Sequence, residues 1–270
     1  MVMKTKLAGC ALLALCAVNA SAQFTVGDMM KPAAYTNAHG NVSMYRISMP
    51  QYPKPGHRYP MILFLHGSGE CGTNNYSQIK AGLPALMGQL LKQKEQVIVV
   101  APQCRISNNW IKKLDFTADY VASKEPTLAL RDALAICDSI IERGLADPDR
   151  FYITGLSLGG FGTWDAIQRY PEKFAAAAPI CGSGDVRKLP PGLKKLPLWV
   201  AHGDIDENVP VDCSRRMCEA IHNFGNKQLI YEEFQGGNHL IWDRVYGDPQ
   251  FTKWLLKQTR KENKPWWKFW

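Results

Sequence analysis

The chain has 270 residues, of which 46% are apolar and 21% charged, enough for one large domain with a sizeable core. Its formal charge of +8 sits at the two ends: Lys4 and Lys6 near the start, and Lys253, Lys257, Arg260, Lys261, Lys264 and Lys268 against Glu262 near the finish. The body between them is almost neutral, which argues against an enzyme that grips nucleic acid along a basic groove.

Residues 1–22 read as a secretory leader. Lys4 and Lys6 precede an apolar run over 7–18, and Ala20-Ser21-Ala22 supplies a small-residue cleavage site before Gln23. The run is too short to span a membrane. Leu7-Ala8-Gly9-Cys10 has the lettering of a lipidation box but lies at the beginning of the apolar run, so lipidation is not expected. Export to the periplasm or the exterior follows. One domain is then expected over 23–262, with a separate aromatic and basic tail at 263–270.

Residues 23–40 show no period and are expected to cross the surface. Val42, Met44 and Ile47 alternate within 41–49 and predict an antiparallel edge strand. Beyond a Pro- and Gly-rich turn at 51–58, Met61-Ile62-Leu63-Phe64-Leu65 reads as a strand buried on both faces. A polar loop at 67–77, a helix over 78–94 and a buried strand over 96–101 come next. Residues 102–123 form a long polar connection that carries Trp110. Leu130, Leu134, Cys137 and Ile141 make one stripe of a helix that opens at Pro126 and stops at Gly144.

Phe151-Tyr152-Ile153-Thr154 is a further buried strand, followed by Gly155-Leu156-Ser157-Leu158-Gly159-Gly160 and a helical pattern to 169. Short apolar strands at 175–181 and 196–202, a helix at 211–224, an alternating strand at 228–234 and a last helix at 248–259 complete the chain. Buried strands alternating with helices predict an α/β fold with a mostly parallel sheet covered on both faces.

The segment from Gly155 to Gly159 is Gly-x-Ser-x-Gly in a strand–turn–helix context, which lifts the Ser157 hydroxyl above the sheet. A serine hydroxyl is a poor nucleophile at neutral pH. It needs a histidine to take its proton and an acid to hold that histidine. Two later places fit: the loop His202-Gly203-Asp204-Ile205-Asp206-Glu207-Asn208-Val209-Pro210, and His239 after Gly236-Gly237-Asn238. Asp204, Asp206 and Glu207 are all candidate acids on sequence alone.

With these motifs in order, the chain resembles the α/β-hydrolase family. The nearer likeness is to its secreted serine carboxylesterases: the phospholipase/carboxylesterase group and the acetylxylan and feruloyl esterases. The resemblance rests on His66-Gly67-Ser68-Gly69-Glu70, the Ser157 motif, the His-Gly-x-x-Asp-x-x-Val-Pro run from His202 to Pro210, and His239 followed by Trp242. It implies Ser157 as nucleophile, His239 as general base and then acid, and Asp206 as the acid that orients His239. It also implies an oxyanion hole from the backbone N–H groups of Leu158 and Ser68. No cofactor is implied. The substrate class it suggests is an acetyl or feruloyl ester of a polysaccharide. A serine peptidase on the same fold is the rival enzyme, and a glycan- or envelope-binding protein the rival without catalysis.

Trp110 and Trp242 fall in loops near the expected active face and are expected to line the substrate. The absence of an evident lid insertion favours a short acyl group. His66 and His202 are expected to fix strand-end turns, while His39, His57 and His222 are expected at the surface. No C-x-x-C or H-E-x-x-H pattern is present, so no metal site is expected. Six cysteines lie beyond the leader, and Cys71–Cys104 is the expected bridge, since both should follow strands at one end of the sheet. Trp266, Trp267 and Trp270, interleaved with lysines, suit contact with a membrane or a polysaccharide surface.

Overall fold

The computed structural model describes residues 25–113 and 120–260. The leader, the aromatic tail and residues 114–119 lie outside this range, and with them the expectations placed on residues 1–22, Trp266, Trp267 and Trp270.

Eight strands form one sheet: β1 (Lys31–Thr36), β2 (Val42–Ser48), β3 (Tyr59–Leu65), β4 (Ile98–Pro102), β5 (Ala146–Leu156), β6 (Ala176–Ile180), β7 (Leu198–Gly203) and β8 (Leu229–Phe234), in the order β1-β2-β4-β3-β5-β6-β7-β8. The pairings from β4 through β8 are parallel, and the β1–β2 and β2–β4 pairings antiparallel. The helices are α1 (Val26–Met29), α2 (Leu83–Lys92), α3 (Leu128–Glu142), α4 (Leu158–Arg169), α5 (Asp212–Asn223), α6 (Trp242–Gly247) and α7 (Pro249–Lys257).

Successive side chains of a strand point to opposite faces. Met61, Leu63 and Leu65 of β3 accordingly join a core with α3, α4 and α5. Ile62 and Phe64 join a second core with α2, α6 and α7. Both faces are therefore covered, as a parallel sheet requires. This is the α/β fold the sequence predicts.

Several boundaries differ; β5, for one, begins at Ala146, so the expected turn at Asp147-Pro148-Asp149 lies within the strand. Residues 31–36 form β1, so β2 is an inner strand and β1 the edge. The expected helix over 78–94 is one 3-10 turn at Ser77–Ile79 followed by α2, because Gly82 at φ 67° breaks the path between them. The last helix is preceded by α6, and Asp248 and Pro249 divide the two: Asp248 is extended and its side chain accepts a hydrogen bond from the Gln250 N–H at 2.8 Å.

The turn from β5 into α4 fixes the centre of the molecule. Ser157 has φ 54° and ψ −120°, a strained backbone for a residue with a β-carbon. Its N–H is held by Ile180 O at 2.9 Å. A β-carbon on Gly159 would run into the Leu65 carbonyl, so the first turn of α4 sits against β3 only because that residue is glycine.

Candidate active site

The carboxyl ends of β5, β7 and β8 bring together Ser157, Asp206 and His239. The Ser157 Oγ lies 2.9 Å from His239 Nε2, and His239 Nδ1 lies 2.6 Å from Asp206 Oδ2. A carboxylate only accepts, so Nδ1 carries the proton and Nε2 is free to accept from the Ser157 hydroxyl. This is the tautomer a general base needs.

Asp206 is held from every side. Its Oδ1 accepts the N–H groups of Asn208 and Val209, each at 2.9 Å. Its Oδ2 takes the His239 contact and also lies 3.2 Å from His202 Nε2. Burial by itself would raise the Asp206 pKa. The hydrogen bonds from His202 and His239, with that from the Val209 N–H, outweigh it and keep the carboxyl well below the usual carboxylate range. Asp206 therefore stays ionised beside His239, an arrangement that would stabilise an imidazolium there. Asp204 and Glu207, the other candidate acids, have no bond to His239.

His202 is fully buried. Its Nε2 is also 2.9 Å from Val209 O, an acceptor like Asp206, so Nε2 donates to both. Nδ1 lies 2.7 Å from Ser214 Oγ, whose hydroxyl also reaches Gly182 O at 3.2 Å. Ser214 lies on α5, and the sequence carries no mark of this contact. Cys181, after β6, is equally unmarked in the sequence. It has φ 50°, and its Sγ lies 3.7 Å from His239 O, supporting the loop that carries the histidine.

Beside Ser157 lies the turn after β3. Ser68 opens a 3-10 turn (Ser68–Glu70), and Leu158 is the first residue of α4. The first N–H groups of a helix have no partner inside it, so both are available to an anion. A β-carbon on Gly67 would stand 3.6 Å from that of Ser157, which places this turn beside the nucleophile. His66, buried behind the turn, holds Gly67 O with Nδ1 at 2.7 Å and accepts the Cys104 N–H on Nε2 at 3.2 Å. Burial pushes its pKa down to about 4.

Trp110 does not line the reacting end of the site. It is 1% exposed, its indole N–H donates to His66 O at 3.0 Å, and its ring meets His66 edge-on. The long polar connection dips inward here because the ring fills the space between His66 and α4. Trp242 is also mostly buried. Its ring meets that of His239 edge-on at 5.2 Å, so it braces the base and belongs to the core beneath it. His66 and His202 fix strand ends as expected, and His39, His57 and His222 are exposed.

A mostly parallel eight-stranded sheet with a strained serine at the turn after its fifth strand is the α/β-hydrolase fold. The model of the prolyl oligopeptidase family, peptidase S9, matches residues 86–190. A thermostable esterase of known structure superposes with a TM-score of 0.78 at 33% identity, covering 86% of this chain and 64% of that one. Poly(3-hydroxyalkanoate) depolymerase C of Paucimonas lemoignei is 28% identical over 62% of this chain and 39% of its own length. Carboxylesterase SOBER1 of Arabidopsis thaliana is 26% identical over 64% of this chain and 87% of its own. The chain thus spans under two thirds of the length of the thermostable esterase and of the depolymerase.

Proposed function

We propose that the protein is an exported serine carboxylesterase. The observation that carries this is the single imidazole bridging Ser157 and Asp206 at 2.9 and 2.6 Å. In the first step His239 Nε2 takes the hydroxyl proton as Ser157 Oγ attacks the ester carbonyl. The N–H groups of Leu158 and Ser68 receive the charge that develops on the carbonyl oxygen, and each such donor is worth roughly 3–4 kcal/mol at the transition state. His239 then gives its proton to the departing alcohol, leaving an acyl-serine. Water, deprotonated by His239, releases the acid and restores the hydroxyl.

The leader over residues 1–22 supports export to the periplasm or beyond. Acetyl or feruloyl esters of polysaccharides are the substrate class we assign. The motif resemblance supports this, as does the lack of an evident lid insertion, which suits a short acyl group. A peptide substrate is the second reading, favoured by the match to the prolyl oligopeptidase family.

The test compares wild type with Ser157→Ala on p-nitrophenyl acetate. A loss on the order of a thousandfold or more is expected; equal rates would remove Ser157 from the mechanism. A panel of acetyl, feruloyl and longer acyl esters beside peptides separates the two readings.

A further inference from the structure

Cys71 and Cys104 meet directly behind the turn assigned to the oxyanion. Cys71 closes the 3-10 turn that begins at Ser68, and its N–H donates to Ser68 O at 3.3 Å. Cys104 lies two residues beyond β4. The two sulfurs are 3.7 Å apart, and the strands of chain around them are already joined by Gly72 N–H to Cys104 O at 2.8 Å. The structure thus brings together the pair expected from the sequence, as two thiols in contact. Cys71 is half-buried and Cys104 buried; Cys137, Cys181, Cys213 and Cys218 are all buried.

His66 Nε2 lies 3.6 Å from the Cys104 sulfur, so the three side chains have the spacing of a metal triad. That nitrogen already accepts the Cys104 N–H, however, and Nδ1 is committed to Gly67 O. The imidazole therefore has no lone pair left for a cation, whereas the sulfurs have no such commitment to each other's exclusion.

We infer that Cys71 and Cys104 form a redox-active dithiol that closes to a disulfide and clips the Ser68–Cys71 turn to the end of β4. Cys71 is the attacking group. It is the more accessible of the two, and the hydrogen bond from Cys104 holds its thiol below the usual range, while burial pushes Cys104 up. Cys71 is reached through its own partly exposed side, and a cavity of about 560 Å³ lined by Gly72, Cys104, Arg105 and Asn108 adjoins its partner. The oxidant is a low-molecular-weight disulfide of the glutathione class. The Cys71 thiolate attacks one sulfur of the reagent, whose S–S bond breaks and releases one thiolate. Cys104 gives up its proton and attacks the Cys71 sulfur, expelling the second thiolate. The protein loses two electrons and two protons, and the reagent leaves as two thiols.

The test begins with fully reduced protein equilibrated in glutathione buffers of rising disulfide content, then alkylated and mapped by mass spectrometry. A cross-linked Cys71–Cys104 peptide is expected, with both residues lost together from the alkylated pool. Closing a loop of this size should raise the thermal midpoint by about 5–10 °C. The rise should vanish in Cys71→Ser, which alters a half-buried site and leaves the reduced-state midpoint near that of wild type. Both thiols remaining alkylatable in the most oxidising buffer would overturn the inference. So would a different cross-linked pair, a full midpoint rise in Cys71→Ser, or one equivalent of Zn²⁺ that protects both thiols. None of these readouts uses ester hydrolysis, so the outcome is independent of the function proposed above.

Discussion

Two His-Gly pairs end two strands on either side of Ser157, and they do different work. His66-Gly67 follows β3 and His202-Gly203 ends β7. Both imidazoles are buried, and both hold a backbone carbonyl of the turn they close. His66 acts on backbone alone: Gly67 O on one nitrogen and the Cys104 N–H on the other. His202 reaches one atom further and touches the Asp206 carboxylate itself. The next residue differs in effect as well. A β-carbon on Gly203 would collide with the Gly237 carbonyl, so the glycine lets the loop bearing His239 rest on β7. In the proposed mechanism one dipeptide thus shapes the side that receives charge in the ester, and the other shapes the side that moves the proton. Losses at the proton-moving side should appear mainly in kcat, and losses at the other mainly in stability.

The largest effect belongs to the acid. Asp206→Asn should cost about 10³–10⁴ in kcat, because an amide can present its NH₂ to Nδ1 and force the wrong tautomer on His239. Asp204→Asn, at a side chain with no bond to His239, should cost less than tenfold. Steady-state hydrolysis of p-nitrophenyl acetate by the two variants decides, and a larger loss at Asp204 would move the acid to that residue. His202→Ala comes next. It deletes a donor to a buried carboxylate, an interaction worth about 1.5–3 kcal/mol, so kcat should fall roughly 10- to 100-fold with KM nearly unchanged. His202→Gln, which keeps an N–H donor, should recover part of the loss. An equal loss in both variants, or a change confined to KM, would mean that His202 serves packing only.

The difference between the two His-Gly turns is only half legible in the sequence. Ser157 and His239 are singled out by the lettering of their turns and by their order along the strands, whereas only the family resemblance separates Asp206 from Asp204 and Glu207. Nothing local says that the His202 ring reaches Asp206 or that Ser214 on α5 supports it. Those contacts depend on how α5 packs against β7, which no short window of sequence contains. Trp110 misled for a related reason. A tryptophan in a polar stretch looks exposed, yet its ring is the filler between His66 and α4. β1 was missed because its residues alternate between exposed and half-buried, and Pro32 sits inside it. An edge strand of that kind is held mainly by its ladder to β2, with Tyr35 packed on the core, so hydrophobic period scarcely reveals it.

The smallest predicted effect concerns the other histidine and is one of pH. An unfolded histidine titrates near pH 6.5, whereas burial keeps folded His66 uncharged down to about pH 4. Between these values the unfolded chain binds a proton that the folded chain does not, so stability rises with pH across the window. The contribution is complete above pH 6.5 and is lost as pH falls toward 4. From pH 7 to pH 5 it should amount to about 2 kcal/mol of unfolding free energy. This window lies above the range in which Asp206 is protonated, so that carboxylate does not confuse the measurement. Urea unfolding at the two pH values measures the slope in wild type. His66→Gln should lower stability at pH 7, since the packing behind the turn is disturbed, but should flatten the slope by most of that amount. His202→Gln is the control from the opposite turn. A slope unchanged in His66→Gln would mean that the imidazole behind the oxyanion turn takes up its proton with the chain still folded. The turn would then have to open below pH 6, and the division of labour between the two histidines would fail on the His66 side.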